Sequence, residues 1–141
     1  MSTDISTSAT VTIDAPAARV WEALTTPELI KEWFFGVETE TDWAEGGSIV
    51  HRGEYQGTAY EDKGTIVRIV PERTIVHTHW SPVSGLPDRP ENYQEVTWSL
   101  VEDNARTKLA VSEVNLPSDE AKAASEQGWK NALSGLKDLL E

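Results

Sequence analysis

The chain has 141 residues and a modest apolar content of 38%, enough for one folded domain that buries most of the surface its unfolded form exposes. Its 12 basic residues against 24 acidic ones leave a net charge of -12, which opposes binding to nucleic acid or to an anionic membrane surface. There is no cysteine, so disulfides, thiolate catalysis and cysteine-ligated metals are excluded.

The opening "MSTDISTSAT" has neither a basic patch nor an apolar run, so it does not read as a signal peptide. No stretch has transmembrane length, and a cytoplasmic protein without membrane insertion is the expectation. Residues 1–8 are expected to form a flexible tail and 9–141 a single domain. "ATVTIDA" alternates, with Val11 and Ile13 on one face, and predicts a half-buried strand. Pro16 suits the first turn of a helix that continues through "AARVWEALT". Pro27 opens a second short helix, "PELIKEWF", presenting Leu29, Ile30 and Trp33.

The middle of the chain predicts strands separated by turn residues. "VETETDW" leads into the turn "EGG", and "SIVHRGEY", "GTIVRIV" and "TIVHTHW" follow. "SPVSGLPDRPENY", with three prolines and one glycine and no periodicity, reads as a long loop. A loop of that length in a compact domain is either functional or a mere connection, and a gate over a cavity is the functional expectation. "EVTWSLV" alternates, "EDNA" reads as a hairpin turn, and "TKLAVSEV" alternates again. There is no internal repeat.

The last element is the longest. Ser118 after Pro117 predicts an N-cap, and Asp119 and Glu120 suit the positive end of the helix dipole. One amphipathic helix then runs to the C-terminus, with Trp129, Leu133, Leu136 and Leu140 as its bulky stripe. A second stripe carries Ala121, Ala124, Gly128, Ala132 and Gly135. Two glycines on one helix seam indicate that something passes close by, either a tightly packed sheet or a ligand.

Strand, two short helices, antiparallel strands and one long helix is an α+β order. The residues carry a further resemblance: "IDAPAARVWEALTTPELIKEWF", the "EGG" turn, "GTIVRIVPERTIVHTHW", "VTWSL" and the closing "GWKNALSGLKDLL". Over about residues 9–140 the chain resembles the heat-shock-protein-90 ATPase activator homologue family. That family lies within the START-like, birch-pollen-allergen-like (SRPBCC) superfamily. The resemblance implies a helix-grip fold, in which a curved antiparallel sheet wraps round the long C-terminal helix. It also implies a cavity between sheet and helix, which in that superfamily serves lipid carriers, hormone binders, and polyketide cyclases and aromatases. Glu113 stands where the family commonly has a histidine in an "LTxxH" pattern.

His77 and His79 lie two apart on one predicted strand, so both imidazoles project from one face. Alternation leaves two options for the inner face, Ile75, His77 and His79 or Val76, Thr78 and Trp80. The resemblance favours the first. A metal site would need further ligands, such as His51 or Glu113, and no H-E-x-x-H or carboxylate cluster supplies them. Neither metal nor cofactor is therefore expected. No dinucleotide, Walker or nucleophile-elbow motif is present either.

The leading expectation is a non-catalytic protein binding a small hydrophobic or aromatic ligand between sheet and helix. Its expected ligand-binding residues are Trp33, Tyr55, His77, His79, Trp98, Val111, Glu113, Trp129, Leu133 and Leu136. Trp21 is expected in the core, and Trp43 and Trp80 at the rim or surface. One alternative is a cyclase- or aromatase-like enzyme with His77, His79 or Glu113 as acid or base. Another is a chaperone-interacting module. Chaperone activators of the family carry an additional N-terminal domain that this sequence does not show.

Overall fold

A computed structural model describes residues 5–141, with the side chain of Tyr55 outside the described set. The elements follow the predicted order: β1 (Thr7–Ile13), α1 (Ala17–Thr25), α2 (Pro27–Trp33), β2 (Glu38–Thr41), β3 (Ser48–Tyr55), β4 (Thr58–Val70), β5 (Thr74–His79), β6 (Gln94–Asp103), β7 (Arg106–Val114) and α3 (Asp119–Leu140). All seven strands form one antiparallel sheet in the order β1-β7-β6-β5-β4-β3-β2. The sheet curves round α3, giving the helix-grip fold.

Several boundaries differ from expectation for identifiable reasons. β1 takes in Thr7 and Ser8, which pair with Glu113 and Ser112, so this part of the expected tail is sheet. Pro16 is the extended N-cap of α1 rather than a helical residue. In place of a side-chain cap, Glu102 at the end of β6 accepts a 2.6 Å hydrogen bond from the Ala17 N–H. β4 begins six residues before "GTIVRIV", because Gln56 and Gly57, both at positive φ, make a two-residue turn that sends "TAYEDK" straight back along β3. The other two-residue turn is Asn104-Ala105, also at positive φ, inside the expected "EDNA".

Loop 81–93 is not structureless. It holds two short 3-10 turns, Pro82–Ser84 and Pro90–Asn92, and Gly85 takes the left-handed conformation that ends the first. The loop is also tied down. Lys63 pairs with Asp88, Trp80 Nε1 donates to the Leu86 carbonyl, and Asn115 donates to the carbonyls of Glu91 and Tyr93.

The core is densest at the β1, β7 and β6 side, where Ile13, Val20, Leu109, Val111 and Leu136 are fully buried. α3 starts at Ser118, whose hydroxyl accepts from the Ala121 N–H, and its far end is fastened to β1 by Lys137 donating to the Thr12 carbonyl. Trp21 packs against the core as expected. Gly135 lets α2 rather than the sheet approach: a Cβ there would stand 3.1 Å from the Trp33 carbonyl oxygen. Around Gly128 a Cβ would meet nothing within 4 Å. The two glycines of the seam thus have different causes.

Candidate functional site

The open space beside Gly128 belongs to a cavity of about 270 Å³ between the β2–β7 part of the sheet, α2 with the segment after it, and α3. One side is aromatic. Trp98 makes edge-on contacts with Trp33 at 5.8 Å and with Trp129 at 5.4 Å, while Phe34 stacks parallel to Trp129 at 6.0 Å. Trp33 is held in place by its Nε1, which donates to the Ala23 carbonyl. Trp129 is held by its Nε1 donating to Glu113 Oε1 at 3.0 Å, a bond that joins α3 to β7. Phe35, at positive φ and 62% exposed, stands beside the opening.

The other side is polar, and strand register explains how it forms. Thr39 on β2 pairs with His51 on β3, and His51 pairs with Asp62 on β4. Asp62 then meets His79 on β5, whose Nε2 donates to Asp62 Oδ2 at 2.9 Å. Four strands therefore contribute one transverse row of polar side chains, all lining the cavity. His77 lies one step along β5, and its ring stands 6.0 Å from that of His51. Gly64 makes this arrangement possible. A Cβ at that position would collide with the Thr78 carbonyl, so β4 and β5 cross too closely there for a side chain.

The three histidines are in different electrostatic states. Burial, with smaller repulsion from His77 and His79, lowers the His51 pKa to about 3. Burial likewise lowers His77 to about 4, against its hydrogen bond to the Thr78 backbone. Because a carbonyl only accepts, that 2.9 Å bond puts a proton on His77 Nδ1 and leaves Nε2 as an acceptor. His79 is also penalised by burial, but the Asp62 hydrogen bond and charge, with Glu113 and Gln94, outweigh it and raise its pKa. The site therefore combines two imidazoles whose pKa values burial pushes down with one whose pKa a neighbouring carboxylate pushes up. Three buried polar atoms of the row have no well-formed protein hydrogen bond: Thr39 Oγ1, Asp62 Oδ1 and His79 Nδ1.

Residues 14–141 match the family described as Activator of Hsp90 ATPase homolog 1-like protein. The chain belongs to this family. Among solved structures this family member is similar to ChR145 from Cytophaga hutchinsonii, with 39% identity over 99% of this chain and 96% of that one and a TM-score of 0.84. It is similar to CalU16 from Micromonospora echinospora at 28% identity, over 96% of this chain and 74% of that one, with a TM-score of 0.75. The Aha1 dimer of Colwellia psychrerythraea shares the fold, at 20% identity over 97% of this chain and 96% of that one and a TM-score of 0.75. No curated protein matches the chain.

Of the residues expected to bind ligand, Trp33, His77, His79, Trp98, Glu113 and Trp129 line the cavity of this family member. Val111, Leu133 and Leu136 do not: they are buried in the hydrophobic core, where α3 packs directly on the sheet. Tyr55 ends β3, and its side chain lies outside the described residues. Trp43 lines the cavity rather than only its rim, whereas Trp80 lies outside it, stacked on Tyr93. No residue of loop 81–93 lines the cavity, which removes the geometric basis for the expected gate. Among the described residues no three His, Asp or Glu side chains are grouped so as to hold a metal ion.

Sequence reasoning missed the aromatic Phe34 and the polar residues Thr39, Tyr60 and Asp62, among other lining residues. The strands of these polar residues carry no run of alternating apolar residues, because the inward positions themselves are polar. The remaining signal was the pair of turn residues Gln56-Gly57, which would have extended β4 back to Tyr60 and Asp62.

Proposed function

We propose that this protein binds a small hydrophobic or aromatic molecule in the cavity between sheet, α2 and α3, without transforming it. The observation that carries this reading is the cavity itself, with walls of Trp33, Phe34, Trp98 and Trp129 and a polar row opposite. Such a combination is characteristic of ligand pockets, where apolar area supplies affinity and a few polar groups fix orientation. Gly128 provides the test. Gly128→Leu directs a side chain into open space and should abolish binding of an apolar fluorophore. Stability should hold or rise, because glycine is the poorer helix former. Undiminished binding in a folded Gly128→Leu protein would refute the reading.

One observation favours a second reading, an enzyme of the cyclase or aromatase kind. His77 and His79 line the same cavity with pKa values pushed in opposite directions, and such pairs are how acid and base roles divide at one pH. Turnover of a cyclisable poly-ketone, lost in His77→Gln, would establish it. The chaperone-interacting module rests on the family description alone, and co-purification with a chaperone would speak for it.

A further inference from the structure

The cavity's polar end specifies more than general affinity for apolar molecules. Thr39 is buried, its hydroxyl has no protein partner, and it lines the cavity. Asp62 uses Oδ2 on His79 and leaves Oδ1 buried and unmatched. His79 uses Nε2 on Asp62, and its buried Nδ1 has no well-formed protein hydrogen bond, with the Gln94 side chain close to the ring. An unmatched buried polar group is costly, and these residues belong to one cross-strand row, with Thr39 and Asp62 on either side of His51. We infer that this row is a head-group subsite for an uncharged, hydroxyl-bearing ligand head, such as a diol or a hydroxy-ketone. This deepens the ligand-binding reading and rests on it.

The chemistry of the three atoms sets the head group. Asp62 Oδ1 only accepts, so the ligand must donate there. His79 Nδ1, on a ring whose other nitrogen donates to Asp62, accepts when the ring is neutral and donates when it is protonated, and a ligand hydroxyl can meet either state. Thr39 Oγ1 can do either. Charge then excludes acids. The carboxylates of Asp62 and Glu113 both line the cavity, and the imidazole beside them, His79, is already committed to Asp62. A third carboxylate would meet repulsion in a poorly solvated space. Fatty acids and aromatic acids are therefore the wrong class, although the apolar walls would suit their tails.

Three naphthalene derivatives of similar size test this: a naphthyl ethanediol, ethylnaphthalene and naphthoate. Binding is read from quenching of tryptophan fluorescence and from the indole N–H resonances of Trp98 and Trp129. The diol should bind about tenfold more tightly than ethylnaphthalene, the ratio expected from one good hydrogen bond to a charged group, and naphthoate should bind most weakly. Asp62→Asn and Thr39→Val, each close in shape to the native residue, should bring the ratio of diol to ethylnaphthalene affinity, measured within each variant, down to about one. If ethylnaphthalene binds but the diol gains nothing, or keeps its gain in both variants, the head-group inference is overturned while cavity binding stands. If naphthoate binds most tightly, the inference is likewise overturned. If none of the three binds, the ligand-binding reading itself fails, and the inference with it.

Discussion

Acidification from pH 6 to pH 5 should destabilise this fold more than its carboxylates can account for. His51 and His77 are held neutral in the fold, at pKa values of about 3 and about 4 against an ordinary 6.5. A histidine whose folded pKa is lowered keeps full stability above the unfolded pKa and loses it as pH falls, because the unfolded chain takes up the proton first. His79 has the opposite sign: its raised pKa adds stability that is complete below 6.5 and is lost as pH rises through the folded value. Below pH 6 it is protonated mostly in both states and contributes little slope. From pH 6 to 5 each lowered histidine should therefore cost about 1.2 kcal/mol, and the two about 2.4 kcal/mol. With a urea m-value of about 2 kcal/mol/M, the unfolding midpoint should move down by about 1 M. Asp88 and Glu141, whose pKa values are lowered by Lys63 and Lys137, act only below this window. His51→Gln and His77→Gln should each remove about half of the pH 6 to 5 change. If both variants keep the full wild-type slope, the histidines are not the cause and the electrostatic account of the site is wrong.

Leu136→Ala removes a fully buried side chain where α3 packs on the sheet, and should cost about 2–5 kcal/mol in chemical denaturation. Ser118→Ala removes the acceptor for the Ala121 N–H and should cost about 1 kcal/mol, seen as faster hydrogen exchange in the first turn of α3. Gly64→Ala drives a methyl into the Thr78 carbonyl, so the strands must part there. A loss of about 1–3 kcal/mol is expected, with chemical-shift changes at Asp62 and His79. A neutral Gly64→Ala would mean that β4 and β5 do not cross as closely as described.

Much of the fold is legible in the sequence because its elements carry separate physical signals. Ser118, the stripe Trp129-Leu133-Leu136 and the alternation of Val96-Trp98-Leu100 each predict an element that the structure contains. The inward face of β5 was ambiguous from alternation, since Ile75-His77-His79 and Val76-Thr78-Trp80 fit equally well. Burial against Ile66 and Val96 decides it, and those partners come from register, which no single strand encodes. The polar row was illegible for the same reason. Thr39, His51, Asp62 and His79 are 40 positions apart from first to last, and the successive strand connections, Gln56-Gly57 among them, bring them level. Val111, Leu133 and Leu136 look as suited to a cavity wall as Trp98 does. What separates them is how closely α3 lies on the sheet along its length.

Gly128 and Gly135 sit two turns apart on the same helix face, one facing open space and the other pressed against α2. Drift at the first can therefore change the dimensions of the chamber while the second keeps the scaffold together. Among descendants of such a sequence, preference for larger or smaller guests could diverge through a single codon. The fold itself would leave no trace of the change, so shared ancestry here would be a poor guide to shared diet.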